Sequence, residues 1–336
     1  MRKSIVFLIL AIAGASPVFA CAPAPHAGER IDIVEESAVI VWDPATKTQH
    51  FIRRATFQGD ARDFGFLVPT PTAPQLAAVG DDIFDVLIEK TRRPVIDRTR
   101  REIDWTFFMT DKDAAETTTG IAPVEVVQTT KVAGYEAVVL DASDAKALVD
   151  WLQQHDYATT PQLEAWLDAY IRQRWMITAF KIDKSQSDIA RTEAVKMSFT
   201  TERPFFPYRE PPSDNANRVL RIFFLGAERV TGTIGDAFWA GIPEWSNTID
   251  DAFRARLEKS AGVAIPARLS SFIDIGSRSA IDDLFFSRAA DQSPLIPEPR
   301  IIEHVNTILI PLDVIAFAAV LLLALVFVSR WAFFPQ

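Results

Sequence analysis

Cysteine is nearly absent from this chain of 336 residues, since Cys21 is its single cysteine. An internal disulfide is therefore excluded, and the fold must be held by its hydrophobic core. The four histidines are too far apart in the sequence to give a zinc-binding spacing with one another. The sequence thus indicates no metal site and no cofactor.

Signatures of common enzymes are missing as well. No Gly-x-Ser-x-Gly elbow occurs, although folding could bring Ser270 or Ser271 to a distant histidine. The string "DFG" at residues 63–65 matches the metal-binding triplet of kinases, but no glycine-rich loop accompanies it. The acidic residues between 111 and 116 lack the glycine and the terminal glutamate of an EF-hand, so a solvated loop is favoured there.

Two pairs of adjacent carboxylates could perform acid and base chemistry in a cleft. They are Asp81-Asp82 and Asp282-Asp283. Adjacent acids more often lie at helix starts, where the helix dipole favours negative charge, and this interpretation is preferred.

Positive charge is in deficit, because 35 Lys and Arg face 44 Asp and Glu, for a formal net charge of -9. A surface with this balance repels nucleic acid, so a nucleic-acid partner is disfavoured.

The amino terminus has the order of a secretory signal. Met1, Arg2 and Lys3 precede a short apolar run, and small residues end at Ala20. We expect residues 1–20 to be a cleaved signal peptide. The string "VFAC" then loosely matches a lipobox, so Cys21 is either a lipidation site or a free thiol at the processed terminus.

The carboxyl terminus carries the one long apolar run. Residues 308–329 are long enough to cross a hydrocarbon core of about 30 Å, and Arg330 follows them. This pattern predicts a single transmembrane helix with a cytoplasmic tail at 330–336, and the alternative is a buried core helix.

Between the two ends, composition predicts one large extracytoplasmic domain over residues 31–290, with a possible subdomain break near 120–135 or 210–218. Proline-rich segments flank this domain on both sides. Residues 21–30 are expected to be a tether, and residues 291–307 a semi-rigid stalk.

Local patterns predict an α+β fold, mainly antiparallel sheet with a few packed helices. Residues 37–42 and 49–56 form a hairpin around a turn that begins Asp43-Pro44. Apolar periodicity predicts a helix over 82–90, and Thr160 and Pro161 are typical of the start of another. Further strands are predicted at the following residues: 63–68, 105–109, 135–140, 175–182, 195–200 and 218–225.

Two stretches combine strands with prolines. In "FGFLVPTPTAP" Pro69 is expected to end a strand, and Pro71 and Pro74 to hold a stiff, aimed loop. In "RPFFPYR" three aromatic side chains, Phe205, Phe206 and Tyr208, alternate with prolines. Both stretches are candidate recognition loops, although core packing of at least two of the three aromatics is favoured.

Several strings together resemble the bacterial secreted family known as domain of unknown function 2330. They are "TFQGDARDFGFLVPTP", "WLQQHDY", "YIRQRWMITAFKI" and "MSFTTERPFFPYR", and the resemblance spans about residues 30–225. Members usually carry Cys-Gly or Cys-Cys-Gly after the signal, whereas Cys21 precedes Ala22 here. The resemblance implies an exported, often membrane-tethered domain. It implies no activity and supplies no site residues.

Two functions are compatible with these features. The first is a binding or assembly module of the cell envelope, anchored in the cytoplasmic membrane by a single pass, with the bulk of the protein periplasmic and an envelope protein or polymer as partner. The second is a cofactor-independent hydrolase of envelope material.

Overall fold

The computed structural model describes residues 22–26, 28–61, 63–106, 135–141, 145–154, 157, 159–183, 189–209, 218–275 and 282–333. Its strands are β1 (Ala22–Pro25), β2 (Ile31–Asp43), β3 (Thr48–Gly59), β4 (Asp63–Thr70), β5 (Gln75–Ala78), β6 (Val95–Thr106), β7 (Tyr135–Leu140), β8 (Met176–Asp183), β9 (Ile189–Arg191), β10 (Val195–Thr200), β11 (Phe205–Phe206), β12 (Val219–Gly226), β13 (Val230–Ile234), β14 (Ala237–Phe238), β15 (Ile242–Thr248), β16 (Arg268–Ile275), β17 (Leu284–Arg288) and β18 (Arg300–Pro311). Its helices are α1 (Asp82–Thr91), α2 (Ala145–Gln154), α3 (Pro161–Ile171), α4 (Asp251–Ala261) and α5 (Leu312–Phe333).

The chain divides into two compact units. In described residues, the first holds the chain up to Arg92 and from Tyr135 to Pro297, and the second holds Arg93–Thr106 and Glu298–Phe333. The expected subdomain breaks fall largely on residues 107–134 and 210–217, which lie outside the described part of the chain.

The first unit is built on one large sheet. Its strand order is β15-β16-β12-β2-β3-β10-β5, and β9 pairs with β3. Neighbours are antiparallel except β12 and β2, which run parallel. Two smaller antiparallel sheets accompany it, in the orders β1-β4-β8-β7 and β11-β17-β13-β14. The predicted α+β class with mainly antiparallel sheet is confirmed.

The predicted hairpin is β2 and β3. The Asp43 carboxylate accepts hydrogen bonds from the Thr46 hydroxyl at 2.7 Å and from the Ala45 N–H at 2.9 Å, which fixes the turn. These bonds lower the pKa of Asp43, the Thr46 hydroxyl contributing most. The turn was therefore readable from adjacent residues.

Three buried clusters hold the first unit. One lies on a face of the main sheet and includes rings from the two smaller sheets, such as Phe66, Phe180, Phe205 and Phe286. A second cluster joins the opposite face to α1 and α4, and a third joins β4 and β8 to α2 and α3. The start of α3 is as predicted, because the Thr160 hydroxyl accepts from the Leu163 N–H at 3.1 Å.

The proline segments near the amino terminus differ from expectation. The tether predicted at 21–30 contains strand β1, whose four residues pair antiparallel with β4 from Ala22–Leu67 to Pro25–Phe64. Pro69 does not end β4 but lies within it, opposite Ile177 and beyond the described register of β1. Proline lacks a ladder donor but is tolerated at sheet edges, which is why both segments can be strands.

The segment predicted as a proline-rich stalk, residues 291–307, contains strand-paired residues. Leu295 pairs with Ser246 of β15 through two backbone hydrogen bonds of 2.7 Å, so its first part is attached to the first unit. Its second part belongs to β18, which pairs parallel with β6 over twelve register positions. The density of prolines indicated an exposed linker. The residues after Pro299 have a high β-propensity, however, which favours the pairing of β18 with β6.

The second unit consists of β6, β18 and α5. The helix begins at Leu312 rather than at 308, because the preceding residues up to Pro311 remain in β18. Among the residues whose side chains the structure describes, no helix reaches both the length and the apolarity required of a membrane span. The predicted signal peptide, residues 1–20, lies outside the described residues.

Candidate functional site

An open groove lies beside strand β5, at one end of the main sheet. Ile52 of β3 belongs to the buried cluster that packs against α1 and α4. His50 precedes it by two residues in the strand, so the two side chains lie on the same face of the sheet. Helix α4 ends where Gly262 takes a left-handed conformation, with φ of 65°, and its N–H donates to Glu258. Beyond that end the face is a groove of about 720 Å³.

The groove is lined mainly by polar groups from three adjacent strands. The lining residues we use are Thr48, His50, Gln75, Ala77, Lys196 and Ser198. Among the described residues no aspartate or glutamate lines the groove, although the whole chain carries a net charge of -9. The groove is therefore locally favourable to a polar or anionic ligand.

Ser198 and His50 form the closest pair of reactive groups in the groove. They are register partners on β10 and β3, and the Ser198 Oγ lies 2.8 Å from the His50 Nδ1. Burial is the main cause that lowers the pKa of His50, the Lys196 charge lowers it further, and Asp43 opposes both. The imidazole is thus neutral near neutral pH.

Lys196 stands two residues before Ser198 on the same face of β10. Its Nζ donates to the Ala261 carbonyl oxygen at 2.6 Å, in the last turn of α4, where a cation is favoured by the helix dipole. Burial lowers the pKa of this ammonium group. The contact holds the side chain in place and leaves further ammonium N–H donors at the groove.

The proline loop forms one rim of the groove. The Thr72 hydroxyl accepts from the Thr200 N–H at 3.1 Å and lies 3.2 Å from the Thr200 carbonyl oxygen. Pro69 and Pro74 are buried, and Pro71 is half-buried. Of the three prolines proposed as recognition residues, only Pro71 is thus available at the surface, while Thr72 and Ala73 line the groove.

The aromatic recognition surface proposed around residue 205 is not a surface. Phe205 and Phe206 are fully buried, and Tyr208 is 7% exposed. The two phenylalanines form β11, which pairs with β17, and their rings contact Trp175 and Phe51. The favoured core interpretation is confirmed, because the adjoining strand leaves no side of these rings open to a partner.

The adjacent acid pairs divide into two cases. Asp81 and Asp82 lie at the start of α1, as the helix-start interpretation predicts. Asp282 and Asp283 instead precede strand β17, so that interpretation is wrong for them. Asp282 pairs with the Arg209 guanidinium at 3.2 Å, and Asp283 is buried.

Asp283 is a buried acid with several hydrogen-bond donors on one oxygen. Its Oδ1 accepts from the Tyr170 hydroxyl at 2.8 Å and from the N–H groups of Tyr208 and Arg209 at 3.0 and 3.2 Å. Burial raises the pKa of Asp283 to about 6, against the opposing effects of Tyr170 and Arg209. These contacts join α3 to the segment that follows β11 and to the residue that precedes β17.

A second buried charge cluster is centred on Glu36. The Arg53 Nε donates to Glu36 Oε1 at 2.5 Å, and Arg218 Nη2 donates to Oε2. All three side chains are less than a tenth exposed, and the Arg53 guanidinium lies over the Phe66 ring at 3.8 Å. This arrangement positions β2, β3 and the start of β12.

A smaller cavity of about 270 Å³ lies between the β13–β14 hairpin and β15. Its walls include Trp239, whose ring passes so close to Gly241 that a side chain there would clash at 2.3 Å. Trp239 Nε1 donates to Asp274 at 3.2 Å. The ring is therefore held by close packing and by a hydrogen bond.

Other candidates are separated. Ser270 bonds to Ser246 at 2.9 Å, and no described histidine contacts Ser270 or Ser271. Within the described ranges no group of three or more His, Cys, Asp or Glu could hold a metal ion. Cys21 lies outside the described residues, so its lipidation stays a prediction.

Sequence reasoning missed the groove. His50 and Ser198 are 148 residues apart, and each is a single polar residue inside a strand. Only the pairing of β3 with β10 brings them together, so no local spacing could have identified them.

Comparison with known proteins gives one structural likeness and one family. The crystal structure of baculovirus P35 aligns with a TM-score of 0.41 at 9% identity, over 81% of this chain and 98% of that chain. No curated protein matches the sequence. The family model described as "Uncharacterized protein conserved in bacteria (DUF2330)" matches residues 15–283, and the chain therefore belongs to this family.

Proposed function

We propose that this chain is an extracytoplasmic, membrane-anchored binding module that takes an extended polypeptide segment of an envelope partner along strand β5. The single observation that carries the proposal is the open groove beside this edge strand. The signal-like amino terminus and the apolar run at 308–329 support the envelope location.

The two ends of the main sheet differ in a way that favours strand addition at β5. At the β15 end, Ser246 exchanges two backbone hydrogen bonds with Leu295. At the other end, β5 pairs with β10 alone among the described residues. An uncovered edge strand offers backbone donors and acceptors to an extended peptide.

The side chains that line the groove would determine which peptide sequences bind at this edge. Gln75, Leu76 and Ala77 of β5 all line the groove. Gln75 and Ala77 lie opposite Ser198 and Lys196 on the same face, so their side chains would lie beside those of an added strand. Lys196 gives the groove a positive charge without a neighbouring carboxylate in the lining. We therefore expect the bound segment to be polar or acidic.

The rim beside β5 is held in one conformation. Thr72 ties the loop to the end of β10, and Pro71 and Pro74 restrict its backbone. A rim that is already ordered loses little conformational entropy on binding, which favours affinity.

Photo-crosslinking in the bacterial host tests this proposal. A p-benzoylphenylalanine at the exposed position Ala77 should capture a polypeptide, and one at the exposed position Glu164 on α3 should not. Mass spectrometry should locate the crosslinks on one short contiguous segment, and a synthetic peptide of that segment should compete. Equal capture at both positions, or crosslinks scattered over a partner's surface, would contradict strand addition.

A further inference from the structure

The Ser198–His50 pair supports a second property of the groove, independent of strand addition at β5. The Oγ and Nδ1 atoms are 2.8 Å apart, within the range in which a base takes a proton from a hydroxyl. Both side chains are half-buried and line the open groove, so a ligand there can reach the hydroxyl.

The protonation state suits a general base. Burial and Lys196 lower the pKa of His50, and Asp43 raises it less, so the ring is neutral at neutral pH. With its proton on Nε2, the imidazole presents the Nδ1 lone pair to Ser198, whose hydroxyl then donates. The serine oxygen is thereby oriented with its proton directed away from the groove.

Lys196 provides the third group. Its Nζ is fixed by the Ala261 carbonyl oxygen, and its remaining N–H donors are available on the same face as Ser198. An ammonium group near the attacked carbonyl stabilises the negative charge that develops on the carbonyl oxygen.

We propose that Ser198 is a nucleophile activated by His50, and that the groove accepts carboxylic esters. The Ser198 Oγ bonds to the acyl carbon while its proton passes to His50 Nδ1. The bond from the acyl carbon to the alkoxy oxygen breaks, and His50 returns the proton to that oxygen to release an alcohol. Water then attacks the acyl-serine by the same route and releases the acid.

The ester class follows from the strength of this dyad. Among the described residues, no carboxylate contacts the Nε2 of His50, so the imidazole lacks the support that a buried aspartate gives in a triad. Esters have better leaving groups than amides and need less assistance. We therefore expect acylation of Ser198 to be faster than hydrolysis of the resulting acyl-serine.

Covalent labelling tests the proposal on the full-length protein. A fluorophosphonate probe should add to Ser198, which is the sole serine of the tryptic peptide Met197–Arg209. His50→Gln should slow labelling by about 100-fold, the usual contribution of a general base. p-Nitrophenyl acetate should give a burst of one equivalent of nitrophenol, and Ser198→Ala should abolish it.

Matched variants keep the result interpretable. Ser287→Ala removes an exposed strand serine on β17, which belongs to a different sheet from β3 and β10, and should leave labelling unchanged. Ser198→Cys should restore covalent capture, now by iodoacetamide, with the same dependence on His50. A folded protein whose Ser198 is unlabelled, or is labelled equally in wild type and His50→Gln, would overturn the proposal and identify the pair as a sheet contact only. Either result is independent of crosslinking at Ala77.

Discussion

Gln49 satisfies both backbone polar groups of Phe205. Its Nε2 donates to the Phe205 carbonyl oxygen at 2.8 Å, and its Oε1 accepts from the Phe205 N–H at 2.9 Å. The side chain is fully buried, so no water replaces these bonds. A strand residue 156 positions away thereby holds β11 in the core.

Gln49→Met should destabilise the protein by about 2–5 kcal/mol, because two buried backbone groups lose their partners while side-chain length is kept. Urea unfolding followed by tryptophan fluorescence measures this change. Gln153→Met, at an exposed position on α2, is the matched control and should change the free energy of unfolding by less than about 0.5 kcal/mol. A loss under about 1 kcal/mol at Gln49 would show that water or a rearrangement compensates.

Asp283→Asn should change how stability depends on pH. The folded pKa of Asp283, about 6, lies above its ordinary value of 3.8, so the folded state binds the proton more tightly. Wild type therefore loses stability from this group as pH rises from about 4 to above 6, by about 3 kcal/mol at most. Asparagine carries no such change, and its Oδ1 can still accept from Tyr170.

The quantity to measure is the difference in unfolding free energy between Asp283→Asn and wild type, at pH 4.5 and at pH 7.5. The variant should gain relative to wild type at the higher pH. Taking the difference removes the contribution of His50, whose lowered pKa acts in the opposite direction. A difference that does not vary with pH would argue against a proton on Asp283.

Glu36→Gln should cost about 3–5 kcal/mol, because it leaves the Arg53 and Arg218 charges without their buried carboxylate. The matched comparison is Glu244→Gln. Glu244 Oε2 lies 2.6 Å from Arg221 Nη1, and this ion pair is half-exposed. That change should cost about 1 kcal/mol or less. Equal effects of the two substitutions in thermal unfolding would mean that burial of the Glu36 cluster is not decisive.

Thr72→Val should weaken ligand capture with little effect on the fold. The change removes the hydroxyl that ties the loop to Thr200, but the contact is exposed, so the melting temperature should fall by only a few degrees. Crosslinking from Ala77 should decrease several-fold. Thr248→Val, at the opposite end of the main sheet, should leave the crosslinking yield unaltered; a parallel loss there would point to a general effect.

Topology can be measured with a reporter that is active only outside the cytoplasm. A fusion after Pro297 should be active, and a fusion after Gln336 should be inactive, because the apolar run at 308–329 is expected to place the carboxyl end inside. Activity of both fusions would exclude the proposed single-pass anchor.

Features encoded by neighbouring residues could be read from the sequence. The Asp43 turn and its hairpin, the start of α3 at Thr160 and the strand β10 all follow from local backbone preferences and hydrogen bonds. The two faces of β12 were also visible as apolar residues at every position from Leu220 to Leu225 except Arg221. The family resemblance likewise rested on contiguous strings.

Pairing between strands that are distant in the sequence determined the features that the sequence analysis missed. The proline-containing segment β1 is an edge strand because it pairs with β4. Strand β18 pairs with β6, which lies about 200 residues earlier in the chain. Phe205 and Phe206 are buried because β11 pairs with β17 and Gln49 bonds to the Phe205 backbone. Which strand edges meet depends on the total burial and hydrogen bonding of the folded chain, and a single strand carries no record of its partner. By itself the sequence determined the α+β class and the hairpin, and it predicted an exported, anchored chain. Only the tertiary structure brought His50 and Ser198 together, because their contact exists through the register of two strands.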